Sequence, residues 1–293
     1  GAWVWRNPWP ARGIRRSFAL AGLPGQFAAF GTRKQFFETQ ARKSIANGAA
    51  QVLVLGAGYD LLCQRLGPEF PDVSFFEVDH PATSQAKRQG VESLGRPPNV
   101  EFVAADFAVT SLAKLLAEER NWDASAMSFV AAEGLTQYLP ERAVREMLDA
   151  VSRETGTGTE FALTFVGWRE AENRAEAGPK TDKTLRRLAA RGEPWLWGCE
   201  RSNFGAFLKD TAWEILVPPT SAAWDNLTVI GKQDDDGVVP QPAFLQLCHE
   251  FTHEVIGHLD AAVVDAKILL ANPLGALTLG AFDVIDQEAG ACG

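Results

Sequence analysis

The chain has 293 residues, 46% of them hydrophobic and 22% charged, with a net charge of −9 and a pI near 5.1. That length supplies one large domain, or one domain with an appendage, and ample core. The acidic balance excludes a general nucleic-acid binder, which needs a basic face. Cys63, Cys199, Cys248 and Cys292 lie far apart with no Cys-x-x-Cys pair. They fit reduced thiols, and with no signal peptide visible after Gly1 the expected location is cytoplasmic. The most apolar stretch, Ala261–Ile285, is broken by Asp265, Lys267 and Pro273, so no membrane span is expected.

Residues 1–29 form an N-terminal arm in which Trp3, Trp5 and Trp9 alternate with Arg6, Pro8, Pro10 and Arg12, a pattern suited to packing aromatic rings on a main domain. Strands are then predicted at Gln51–Leu55, Val73–Val78, Val100–Val103, Ser128–Ala131 and Glu160–Val166. Helical segments lie between them near Asp60–Leu66, Ala82–Leu94, Val109–Arg120 and Glu141–Arg153. This alternation reads as βαβ units around a parallel sheet. A charged insertion, about residues 167–197, reads as a helical lid. Strands at Trp213–Val217 and Leu227–Ile230 complete a seven-stranded, doubly wound and mostly parallel sheet within a domain spanning 30–232. A tail, 233–293, follows the run Asp234-Asp235-Asp236-Gly237.

The first strand ends in Gly56-Ala57-Gly58, and the second ends in Glu77-Val78-Asp79. Glycines there let the backbone approach a ligand, and an acid at the second position accepts hydrogen bonds from ribose hydroxyls. A dinucleotide site wants a third glycine, but that position is Leu61. Asp60 also places negative charge where a pyrophosphate would sit. S-adenosylmethionine (SAM), with no phosphate and a positive sulfonium, fits better than NAD.

The chain resembles the leucine carboxyl methyltransferase-like (PPM) family of SAM-dependent methyltransferases from about residue 30 to 230. The resemblance is carried by Phe30-Gly31-Thr32-Arg33, Gln51–Asp60, Phe75–Pro81, Lys87, Ala105-Asp106-Phe107 and Ala132-Glu133-Gly134-Leu135-Thr136-Gln137-Tyr138-Leu139-Pro140. It implies a Rossmann-like fold and an O-methyltransferase acting on a carboxylate or hydroxyl of a small molecule or peptide. It further implies that Arg33 holds the SAM carboxylate, Gly56 and Gly58 line the cofactor and Asp79 binds the ribose. Asp106 and Phe107 would serve the adenine, and Glu133 the amino-acid portion. Glu77 shares a face with Asp79 and either substitutes for it or pairs with a basic neighbour. The family's Asp-Thr-Arg is replaced here by Asp60-Leu61-Leu62-Cys63-Gln64-Arg65, and Trp195 and Trp197 are unusual additions that shape an acceptor pocket or pack in the core.

Methyl transfer from a sulfonium needs chiefly alignment, so no general base is expected; Tyr138 is the candidate on the acceptor side and His80 is structural. In the tail, His249-Glu250-Phe251-Thr252-His253 matches the zincin pattern His-Glu-x-x-His. An apolar stripe from Phe244 to Leu270 makes the same segment an amphipathic helix suited to docking or association, and a zinc site on His249 and His253 is the lesser reading. Two alternatives to the methyltransferase follow: a degenerate protein that binds SAM or a partner without turnover, and a zinc hydrolase in the tail.

Overall fold

The computed structural model describes residues 26–234, apart from 93–94, 108–109, 170–173, 176–184, 191 and 223–224. Most of the N-terminal arm, the tail from 235 onward and the His249–His253 motif therefore lie outside the described residues. The described part begins with helix α1 (Gln26–Ala46), followed by β1 (Gln51–Leu55), α2 (Leu62–Leu66), β2 (Ser74–Asp79) and α3 (Pro81–Glu92). It continues through β3 (Val100–Ala104), α4 (Leu112–Glu118), β4 (Ser128–Ala132), α5 (Glu141–Arg153) and β5 (Glu160–Val166). A two-strand ribbon, β6 (Trp168–Arg169) and β7 (Arg174–Ala175), precedes the short helix α6 (Phe204–Phe207). A final hairpin consists of β8 (Trp213–Ala222) and β9 (Asp225–Lys232).

The main sheet has seven strands in the order β3-β2-β1-β4-β5-β9-β8. It is mixed: the pairings among β1 to β5 are parallel, whereas β9 runs antiparallel to both β5 and β8. The expectation of a mostly parallel sheet thus holds for five strands and fails at the hairpin. There Trp213 and Asp225 bound two consecutive strands joined by a connection too short for a crossover. Both hairpin strands outrun their apolar cores because pairing continues through Ser221–Asn226 and Ala222–Asp225.

Alternate residues of each central strand feed opposite layers. Leu53, Leu55, Phe76, Val130 and Leu163 pack in one core with Leu116 of α4, Val144 and Leu148 of α5 and Phe204 of α6. Val52, Val54, Phe75, Phe129 and Ala162 pack in the other with Phe37 and Ala41 of α1, Leu66 of α2 and Val91 of α3. The doubly wound arrangement follows from that alternation. Of the expected lid, residues 185–189 are helical, and Trp197 belongs to the core, 4.9 Å from the Phe207 ring.

Glu77 lies on the α2 and α3 side of β2, where its carboxylate pairs with the Lys87 ammonium; the two side chains are 2% and 3% exposed. Its pairing with a basic neighbour is therefore the arrangement adopted. Burial pushes the Glu77 carboxyl pKa up, against the pull of Lys87. A buried pair contributes little net stability but is costly to break. Lys87→Met is expected to destabilise the fold by about 3–5 kcal/mol at neutral pH in chemical denaturation. Adding Glu77→Leu should restore most of that loss, since no buried charge remains.

Candidate active site

β1 and β4 are parallel neighbours, so their C-terminal ends open on the same edge of the sheet, where a crevice forms in open α/β folds. Gly56 leaves β1 with φ +64°, and the Gly56 and Ala57 N–H groups both donate to the Val78 carbonyl, at 2.9 and 3.2 Å. The turn is thereby hooked over the end of β2. Gly58, with φ +47°, donates its N–H to Asp79 Oδ2 at 2.5 Å, and His80 N–H donates to Asp79 Oδ1 at 2.7 Å. A Cβ on Gly56 would come within 3.0 Å of Leu135, whereas one on Gly58 would meet no atom within 4 Å. Asp60 Oδ1 accepts from Leu62 N–H at 2.8 Å, so α2 starts two residues after Asp60 rather than at it.

The opposite wall comes from α1 and the β4 end. Arg33 Nε donates to Glu133 Oε1 at 3.1 Å, and Arg33 Nη1 donates to Asp225 Oδ2 at the start of β9. Lys34 Nζ donates to Glu133 Oε2 at 2.9 Å and to Asp60. The Arg33 guanidinium also lies 4.7 Å from the centre of the Phe30 ring. Gly134 N–H donates to Thr164 Oγ1 at 2.8 Å and Thr136 Oγ1 donates to the Thr164 carbonyl at 2.7 Å, which fixes the segment after β4 against β5.

These elements enclose a cavity of about 330 Å³. Of the residues singled out from the sequence, Arg33, Gly56, Gly58, Glu133 and Tyr138 line it, together with Asp60 and Trp195. Asp79 stands behind Gly58 through the hydrogen bond just described. Asp106 lies beyond His80, 4.0 Å from its Nε2. Phe107 lines a different cavity, of about 340 Å³, between α4 and α5. Lys34 and Asp225 were not foreseen. Lys34 follows the motif arginine and carries a plain signal, a second cation on the same helix turn. Arg65, the basic residue retained from the family's helix turn, pairs with Glu38 at 2.9 Å.

Burial works against the charge on Lys34, but Glu133 and Asp60 outweigh it and hold the ammonium pKa above its ordinary value. Burial likewise opposes ionisation of Asp60, and Lys34 outweighs it, leaving that carboxyl below its ordinary value. A depressed folded-state pKa contributes stability above the unfolded value and loses it as pH falls through the folded one. Lys34→Met should therefore destabilise the protein at neutral pH. The difference from wild type should shrink in denaturant titrations below about pH 4, where the Asp60 carboxyl of the unfolded chain begins to protonate.

The family profile described as leucine carboxyl methyltransferase matches residues 3–152, half of the chain. A protein of Mycolicibacterium gilvum named "Putative S-adenosyl-L-methionine-dependent methyltransferase" is 24% identical over 195 residues, covering 64% of this chain and 63% of the relative. A protein of the same name from Mycolicibacterium vanbaalenii is 26% identical over 220 residues, covering 71% of this chain and 70% of the relative. The chain thus spans about two thirds of the length of these relatives. In fold it resembles the crystal structure of a "putative methyltransferase" from Thermobifida fusca, with a TM-score of 0.52 at 14% identity over 72% of this chain and 84% of the other. With the profile match covering half its length, the chain belongs to the leucine carboxyl methyltransferase family.

Proposed function

We propose that the chain is a SAM-dependent O-methyltransferase that methylates a carboxylate or hydroxyl of a small molecule. The observation that carries this reading is the cavity at the ends of β1 and β4, with two positive-φ glycines on one wall and the Arg33–Glu133–Lys34 ion-pair network on the other. A nucleoside cofactor fits the residues present. The Gly58 Cβ position is open space facing the crevice, and Gln137 Oε1 is a buried acceptor in the cavity wall without a hydrogen-bond partner among the described residues. Around the crevice stand Arg33 and Lys34 against Asp60, Asp79, Glu133 and Asp225. This excess of acid favours a sulfonium cation and disfavours a pyrophosphate.

In this reading Arg33 and Lys34 hold the amino-acid carboxylate and Glu133 takes the ammonium group. The Gly56–Gly58 turn, whose glycines leave room for the ligand, and the Asp79 carboxylate it holds in place face the ribose. Asp106 and Phe107, beyond the end of β3, belong to the adenine end. SAM supplies a methyl group already activated on sulfur. The protein's contribution is then to align an acceptor oxygen in line and keep water out. Tyr59, Tyr138 and Leu196 are the exposed large hydrophobics among the described residues. Tyr59 and Tyr138 line the crevice, and Leu196, whose N–H donates to the Gln137 carbonyl at 2.6 Å, follows the lining residue Trp195. The acceptor enters past this aromatic rim, and residues 185–197 serve as its lid. No helix among the described residues is long and apolar enough to cross a membrane.

Calorimetry with SAM tests the site. Asp79→Ala should abolish binding. Gly58→Val should do the same while costing the fold only about 1–2 kcal/mol for a side chain at positive φ. Unchanged affinity in both variants would sink the assignment. A labelled-methyl screen against carboxylic acids and phenols then reads the reaction. Ester or ether products support O-methylation, whereas binding without transfer to any acceptor points to a protein that holds SAM without turnover.

A further inference from the structure

Arg33 is committed on two sides. Its Nε donates to Glu133 and its Nη1 to Asp225, and it makes no hydrogen bond through Nη2 among the described residues. That nitrogen borders the cavity: a Cβ on Gly134 would lie 3.9 Å from it, next to Gln137 Nε2 at 3.8 Å. Asp225 is 1% exposed, and its second carboxylate oxygen, Oδ1, is buried without a hydrogen-bond partner among the described residues. Such an acid is an expensive way to fasten a helix to a sheet, because desolvating the pair offsets most of its attraction and an apolar contact would do better. Its geometric effect is specific. A guanidinium is planar and rigid, so anchoring two of its nitrogens fixes the direction of the third.

We infer that Asp225 is a positioning residue that reaches the site from the reversed strand β9 and aims Arg33 Nη2 at the carboxylate of the bound cofactor. The inference rests on the cofactor reading above. Glu133 alone leaves the guanidinium free to rotate about its Nε contact; Asp225 removes that freedom. Asp225 touches neither the reacting atoms nor the nucleoside, so its influence is confined to the amino-acid end of the ligand. That end distinguishes S-adenosylhomocysteine, which carries the carboxylate, from 5′-methylthioadenosine, which shares the nucleoside and lacks it.

Calorimetry on the full chain with both compounds is the test. Asp225→Asn, isosteric and uncharged, should weaken S-adenosylhomocysteine by about tenfold, the scale of a lost charge-assisted hydrogen bond, and leave methylthioadenosine within about twofold. In an Arg33→Ala background the same substitution should add nothing, because the group through which it acts is gone. Equal losses for both compounds, or additive losses in the double variant, would show a purely structural role and overturn the inference alone. Wild-type protein that binds neither compound would overturn the cofactor reading and this inference with it. Should Asp225→Asn fail to fold, Asp225→Glu keeps the charge and shifts it by one methylene; selective loss of S-adenosylhomocysteine supports the inference, and no loss or parallel loss overturns it.

Discussion

The burial of Arg33 is the constraint on which the rest of the site depends. An arginine that is only 9% exposed cannot rely on water for its guanidinium, so it must find its counter-charges within the fold. It finds them on Glu133, one residue beyond β4, and on Asp225, the first residue of β9. One side chain thereby joins the first described helix to two strands separated by β5 in the sheet. Lys34, the next residue of α1, extends the same logic to the β1 turn through Asp60. The walls of the crevice are thus connected by charge as well as by packing.

Strand direction decides which residues can take part. Parallel strands deliver the residues that follow them to one edge of the sheet, which is why Asp79, Asp106 and Glu133 share an edge and why an acid directly after an apolar run carried information. The reversed strand β9 delivers to that edge the residue with which it begins. Asp225 precedes its apolar run, Leu227–Ile230, and a search for acids at strand ends passes over it. The sequence signal was present as an acid beside a buried strand, but its meaning depended on a direction that local periodicity does not encode.

The same distinction explains what else was legible. Strands buried on both faces read directly from their apolar runs, and Gln51–Leu55 and Glu160–Val166 emerge with the predicted bounds. Helix α5 did too, because its buried face is apolar: Val144, Met147, Leu148 and Val151 recur at helical spacing. Helix α1 did not. Among its described side chains the buried ones are Arg33, Phe37, Gln40, Ala41 and Ser44, a helical stripe in which three of five are polar. A helix that packs through hydrogen bonds and ion pairs leaves no hydrophobic period to detect. The two tryptophans near the end of the insertion also separated only in three dimensions: Trp195 lines the crevice, while Trp197 packs beside Phe207.

The residues hardest to read are therefore those that departed from the rules of a stable core. Central strands satisfy their backbone groups through pairing and bury apolar side chains on both faces, so local pattern and global fold agree there. Around the crevice the agreement fails. Glycines hold positive φ, acids outnumber bases, Asp225 retains a raised carboxyl pKa through burial despite Arg33, and acceptors on Gln137 and Asp225 lack partners among the described residues. Each feature costs stability and none improves packing. Their convergence on one edge of the sheet, at the ends of β1 and β4 and the start of β9, is what singles this crevice out from the apolar cavity between α4 and α5. The latter is lined mostly by apolar side chains such as Leu112, Leu135, Leu139 and Met147; the former presents paired charges beside buried acceptors whose hydrogen-bonding capacity the described residues leave unused.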